Sequence, residues 1–263
     1  MLKTRLYFLL LPVLIFYSSC TVTGPQINLY GPAMYSSDIS YQPKPMSSDS
    51  VHHANYASLS YFSLDAPNNN NNFDIVTVGQ FNIGQGYTFD NFNLSYAAFG
   101  GMGGYSHQTN NDLSQSTHFS SKYFGDLGGR FSANAFVTSG RVDIRFIGFE
   151  VAYSHEFGDY ANFRSQVNGQ PDYFTDARTD LVTIGGSTEV IWHSSERPLQ
   201  FGLRLFIGRT LGDNTYRNPG TPATVYYQQN DIGSLAYFMQ LKKVFFVGEL
   251  HSFGGELRAG LRF

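Results

Sequence analysis

The sequence predicts an all-β protein: an antiparallel transmembrane β-barrel of about ten strands, within a range of eight to twelve. Three observations predict it. Apolar and polar residues alternate along most of the chain after residue 52. The connections between the alternating segments are short and long in turn, except that the last, Phe253–Gly254, is short where a longer one is due. The composition is aromatic yet poor in charge, with 16% Phe, Trp and Tyr, 27 glycines and only 14% charged residues. A soluble domain carries about 25% charged residues. Mean hydropathy is nevertheless only -0.22. Apolar residues facing lipid, averaged with polar residues facing a lumen, give this mixture.

The alternation is clearest at the end of the chain. Leu257, Ala259, Leu261 and Phe263 share one face of a strand, and Glu256, Arg258, Gly260 and Arg262 share the other. A strand has a period of two, so one face is oily and the other polar. Phe201, Leu203, Leu205 and Ile207 stand in the same way against Gly202, Arg204 and Gly208. Phe131, Ala133, Ala135 and Val137 stand against Arg130, Ser132 and Asn134. Val142, Ile144 and Phe146 begin a strand whose phase slips at Ile147, which predicts a bulge. The strands fall at 53–64, 73–87, 91–106, 128–138, 141–155, 180–193, 198–210, 233–241, 244–252 and 255–263. Long polar connections lie at 65–72, 107–127, 156–179 and 211–232, and they read as solvated loops.

Three regions follow. Residues 1–19 read as an export signal: Lys3 and Arg5 precede the apolar stretch Leu6–Tyr17, then Ser18 and Ser19. That stretch is too short for a spanning helix, which needs about 20 residues. Residues 20–52 hold Pro25, Pro32, Pro43 and Pro45 and keep no period, so they are a tether or a plug of the lumen. Residues 53–263 form the barrel.

With the oily face towards lipid, the lumen receives Arg130, Glu150, Glu189, Arg204, Glu249, Glu256, Arg258 and Arg262. Charges away from water need partners, so these residues predict an ion-pair network that blocks a narrow bore. Tyr87, Phe89, Phe92 and Trp192 beside short turns suggest one interfacial girdle of aromatics. Tyr105, Tyr123, Phe124, Tyr153, Phe157 and Tyr160 near long loops suggest the other.

The chemistry-bearing groups are few. His155 with Glu156 and Asp159, His193 with Ser194, and His251 with Ser252 are the candidates for hydrolysis. Adjacent strand residues point to opposite faces, so the two His-Ser neighbours should not converge. Asp159, Asp172, Asp176 and Asp180 crowd one loop region, without a calcium-loop spacing. There is no phosphate-binding glycine loop and no zinc spacing. With a net charge of -3, there is no basic field for nucleic acid. No catalytic residue, metal or cofactor is expected.

Ser18-Ser19-Cys20 resembles the lipobox of bacterial lipoproteins, with Tyr17 where that pattern usually has Leu. The resemblance implies a lipid (palmitate among its acyl chains) on Cys20. No acidic cluster follows Cys20, which suggests the periplasmic leaflet. Arg262-Phe263 resembles the C-terminal assembly signal of outer-membrane barrels, which implies that the barrel-insertion machinery reads Phe263. Together with the aromatic strand Gly148–Gly158, the chain resembles lipidated outer-membrane β-barrels of the Bacteroidota type. The resemblance implies residence in the cell outer membrane, with the lipid bilayer as solvent. The expected role is non-enzymatic: a structural or accessory subunit with a membrane-protein partner. The alternatives are a surface-loop adhesion or ligand-binding barrel, then a small pore or a rim hydrolase.

Overall fold

The computed structural model describes residues 28–47, 52–66, 73–108, 121–170, 173–194, 199–212, 215–216, 225–226 and 231–263. The export signal, Cys20 and the run Asn68–Asn72 lie outside these residues.

Ten strands close into an antiparallel barrel: β2 (His53–Ala66), β3 (Phe73–Thr88), β4 (Phe92–Gln108), β5 (Lys122–Ser139), β6 (Val142–Phe157), β8 (Asp180–His193), β9 (Leu199–Thr210), β12 (Asp231–Leu241), β13 (Val244–His251) and β14 (Gly254–Arg262). The last strand pairs with the first, Arg262 opposite Tyr56 and Gly254 opposite Leu64. Closure leaves no free edge, so backbone donors and acceptors find partners within the sheet.

The alternation explains the wall. Leu59, Phe81, Ile83, Phe149, Leu235, Phe246 and Leu257 point outwards and are exposed on every side of the barrel. An apolar belt this wide would be a liability in water. In a bilayer it is the expected exterior. No helix among the described residues is long and apolar enough to cross a membrane. The strands do the crossing, and the architecture is that of a transmembrane β-barrel.

The slip at Ile147 is a bulge. Pairing of β5 with β6 shifts between Ala135 and Val137, and pairing of β6 with β8 shifts between Arg145 and Gly148. Phe146 and Ile147 both face outwards as a result, while Phe136 turns inwards and is buried. β5 starts at Lys122 rather than at 128. Phe124 and Asp126 both point inwards there, and Gly128-Gly129 follows, so no clean alternation marks the start.

The long connection after β6 is not a plain hydrated loop. It holds helix α1 (Asp159–Val167) and the short strand β7 (Tyr173–Thr175). Gly158 makes the sharp entry at φ 107, a conformation open to glycine. A nine-residue helix is marginal alone. Here Tyr160, Ala161, Arg164 and Val167 are buried, so α1 is held by packing at the long-loop end. Strands β10 (Thr215–Tyr216) and β11 (Val225–Tyr226) pair within the loop after β9.

Residues 30–46 fill the barrel. All but Gly31 and Tyr35 are buried. The segment begins as β1 (Asn28–Tyr30), which pairs in parallel with β7 at the long-loop end. It descends through the lumen and reaches Thr138 and Asp143 at the short-turn end with Ser47. The chain therefore enters the lumen on the side of the long loops and leaves on the side where β2 starts.

Candidate functional site

An irregular segment inside a barrel carries backbone groups that no ladder satisfies, and buried ones must find partners. The wall supplies them with charged side chains, in three levels.

At the long-loop end, Glu156 accepts the Ala33 amide through Oε2 at 2.7 Å. Its other oxygen is paired with Arg164 of α1. Arg164 also donates to the carbonyls of Asp176 and Arg178 at 2.7 and 3.0 Å. Tyr160 stacks on Tyr105, with ring centroids 4.2 Å apart, and donates to the Gly31 carbonyl at 2.9 Å. Burial pushes the Tyr160 hydroxyl well above the usual phenol range, so it stays a donor. Helix α1 thus closes the mouth and grips the plug.

At the middle level, Arg130 donates from Nε to the Asp38 carbonyl at 2.6 Å and from Nη2 to the Ser37 carbonyl at 2.9 Å. Arg204 bridges two carboxylates, Glu150 at 2.6 Å and Glu249 at 3.0 Å. Glu249 accepts the Tyr41 amide at 2.9 Å. Arg258 pairs with Glu256 at 2.6 Å and donates to the Tyr41 carbonyl, also at 2.6 Å. Charge-assisted bonds of this kind are roughly twice as strong as neutral ones.

At the short-turn end, Arg145 pairs with Glu189 at 2.6 Å and reaches the Pro45 carbonyl at 3.2 Å. Thr88 donates to the same carbonyl at 2.7 Å. Asp143 accepts both the amide and the hydroxyl of Ser47, at 2.9 and 2.7 Å. Between the charged groups, the plug meets apolar wall residues. Met34 packs with Phe62, Val78 and Phe99, and Tyr41 with Phe238 and Phe245. A cavity of about 30 Å³ beside Gln42, Asn82, Arg130 and Arg258 has room for a water or two.

Of the residues expected in the lumen, Arg130, Glu150, Glu189, Arg204, Glu249, Glu256 and Arg258 are buried there. Arg262 is half-buried at the last turn of the wall. Sequence reasoning missed Arg145 and Asp143, which share the inward phase opposite Val142, Ile144 and Phe146. It missed Glu156 as a lumen residue, two strand steps of two beyond Ala152 on the same face. It also missed Arg164, for which a nine-residue helix with one buried cation gives no clear pattern.

The outer aromatic girdle needs correction. Tyr123, Tyr153 and Phe157 are exposed on the outer wall, as are Phe89 and Phe92 at the other end. Tyr105, Phe124 and Tyr160 are buried under the cap instead. Tyr105 and Phe124 fall on the inward phase of their strands, and Tyr160, on α1, packs into the same cluster with Tyr30. Tyr87 and Trp192 are half-buried, the latter stacked on Phe201.

The hydrolytic candidates separate. His155 Nδ1 lies 3.0 Å from Asp180, not from Asp159, and both are exposed on the outer wall with Tyr153 bonded to the same carboxylate. Glu156 faces the opposite way, into the lumen. The His193 ring meets the Ser194 carbonyl, at 3.4 Å, and no described acid or hydroxyl partner. Ser252 bonds to Gly233, while the His251 ring turns inwards. Asp172 lies outside the described residues, and Asp176 is paired with Arg178.

The architecture defines a class: a transmembrane β-barrel of ten strands with residues 30–46 threaded through the lumen. No protein-family model and no curated protein matches the chain. Among solved structures, the translocator domain of the autotransporter NalP from Neisseria meningitidis is similar, at 10% identity and a TM-score of 0.42, covering 82% of this chain and 90% of that one. An outer membrane channel from Pseudomonas putida F1 is similar at 11% identity and a TM-score of 0.41, over 84% and 100% of the two chains. The β domain of the Bordetella autotransporter BrkA gives 10% identity and a TM-score of 0.40, over 81% and 99%.

Proposed function

We propose that this protein is a non-conducting outer-membrane barrel that serves as a structural or accessory subunit of a membrane assembly. The filling of the lumen by residues 30–46 carries the reading. A bore occupied by the protein's own chain, bonded at three levels, has no room for a solute path or a sizeable ligand. What remains for function is the outer wall and the long-loop surface.

Lipidation of Cys20 belongs to the same proposal, and the direction of the plug changes its expected place. Asn28 stands at the long-loop end. The eight residues from Cys20 to Asn28 reach about 29 Å at full extension. That reach only just spans the apolar band of a barrel, about 25 Å tall, and with the lumen occupied such a path would run through lipid with its backbone groups unpaired. A lipid on Cys20 then belongs in the outer leaflet rather than the periplasmic one that the lack of an acidic cluster suggests.

The test is affinity purification from native outer membranes in mild detergent, with a tag after the exposed Gly169. The proposal expects another membrane protein in stoichiometric yield. A lone barrel, recovered in several detergents, overturns it. That outcome favours the second reading, ligand capture at the long-loop surface. Its support is α1, which makes part of that surface an ordered platform. Disrupting that platform would then abolish binding and leave the barrel intact.

A further inference from the structure

One group of side chains in the lumen is only partly explained by the grip on the plug. His251 ends β13, and Glu249 and Glu256 sit opposite each other on β13 and β14. All three point inwards and are buried. The His251 side chain is fully enclosed, and neither ring nitrogen has a hydrogen-bond partner. Oε2 of Glu256 has none either. That oxygen and His251 Nε2 face each other across 3.9 Å, too far for a hydrogen bond. A carboxylate oxygen of Glu249 completes a set whose ligand atoms all lie within 4.8 Å of one another.

Buried polar atoms are normally paired, so Glu256 Oε2 and His251 Nε2, both unpartnered and facing each other, call for a shared occupant. Two ligands of one zinc ion, each at about 2.1 Å, lie roughly 3.4 Å apart in tetrahedral geometry. A gap of 3.9 Å closes to that with a small side-chain rotation. One imidazole and two carboxylates suit zinc and its first-row neighbours better than calcium or magnesium, which prefer oxygen alone. Charge agrees. Among the described residues, ten buried carboxylates face six buried Lys and Arg side chains.

Arg258 and Arg204 do not use up the site. Arg258 binds Oε1 of Glu256 and leaves Oε2. Glu249 is shared by Arg204, Ser234 and the Tyr41 amide, yet a carboxylate offers about four lone-pair positions.

We propose that His251, Glu256 and Glu249 form a lumenal binding site for a divalent transition cation of the zinc class. The ion ties the β13–β14 hairpin together beneath the long-loop mouth. Through Glu249 and Arg258 it also braces Tyr41 of the plug. It is a structural site, since it is enclosed and offers no path to substrate.

The experiment uses the full barrel, unfolded in chelator, stripped of metal and refolded with or without zinc ion alone. Metal content after desalting and thermal midpoint are the readouts. The proposal expects about one zinc per chain and a higher midpoint with zinc. Cobalt(II) in its place should give the visible absorption of a nitrogen–oxygen site. His251→Ala and Glu256→Gln should each lose the metal and the midpoint shift, while His155→Ala on the outer wall should keep both. Negligible zinc in the wild-type barrel overturns the proposal, as does zinc retained by a folded His251→Ala variant. If the variants do not fold, the wild-type stoichiometry and the cobalt spectrum decide.

Discussion

The Tyr41 amide donates to Oε2 of Glu249 across 2.9 Å, joining residues 208 positions apart. The Tyr41 carbonyl is taken by Arg258. One plug residue is thus clamped on both sides by opposite charges of the wall. The clamp explains why ionised side chains persist at membrane depth. They complete the hydrogen bonds of a segment with no regular structure.

Arg204 holds two of these carboxylates, so its loss leaves buried negative charges without their cation. Breaking a buried pair costs about 3–5 kcal/mol. Arg204→Met is expected to lower the urea midpoint of the refolded barrel by an amount of that order. The exposed pair Arg209–Asp231, at 3.8 Å, is the control. Exposed pairs contribute little, and Arg209→Met should leave the midpoint nearly unchanged.

The wall was legible in the sequence, whereas the plug stood only as one of two readings of residues 20–52, for one physical reason. A residue between lipid and lumen has only two choices of face, so a period of two appears: Leu257 out, Arg258 in, Ala259 out. The segment from Tyr30 to Met46 is covered on all sides. It has no face to declare, and it bonds through backbone groups that any residue carries. The charges of the wall were a partial signal, since Arg130 and Glu249 pointed to buried partners without saying that the partners are carbonyls and amides. Phe62, Val78 and Phe99 obscured the pattern, because the plug lets apolar residues face inwards.

Gly86 marks where the wall touches the plug backbone. A Cβ there would meet Lys44 Cα, the Pro43 carbonyl and Pro45 Cδ, each at 3.2 Å. These atoms cannot swing aside as a flexible side chain would. Gly86→Val should wedge the plug away at a cost of about 1–3 kcal/mol, the usual range for overpacking. Limited proteolysis in detergent should then cut the segment near Lys44 faster than in the wild type. Gly86→Ala should fall between the two.

Arg164 is the pin of the cap. It joins Glu156 of β6 to the backbone after α1. Arg164→Ala should loosen that loop without opening the barrel. Protease added to intact cells is expected to cleave between Gly158 and Asp180 in the variant and to spare the wild type. The heat-dependent gel shift of the folded barrel should remain. Arg164→Lys should fall between the two, since an ammonium lacks the planar fork that reaches both the carboxylate and the carbonyls.

The closed lumen is tested most directly by single-channel recording in planar bilayers. The comparison is between the wild-type barrel and a variant lacking residues 30–47, with Arg130→Ala/Arg258→Ala as a second variant that keeps the segment but removes two of its clamps. The wild type should be silent, the deletion should conduct in steady steps, and the double variant should flicker. Steady conductance by the wild-type barrel would contradict a lumen sealed by its own chain.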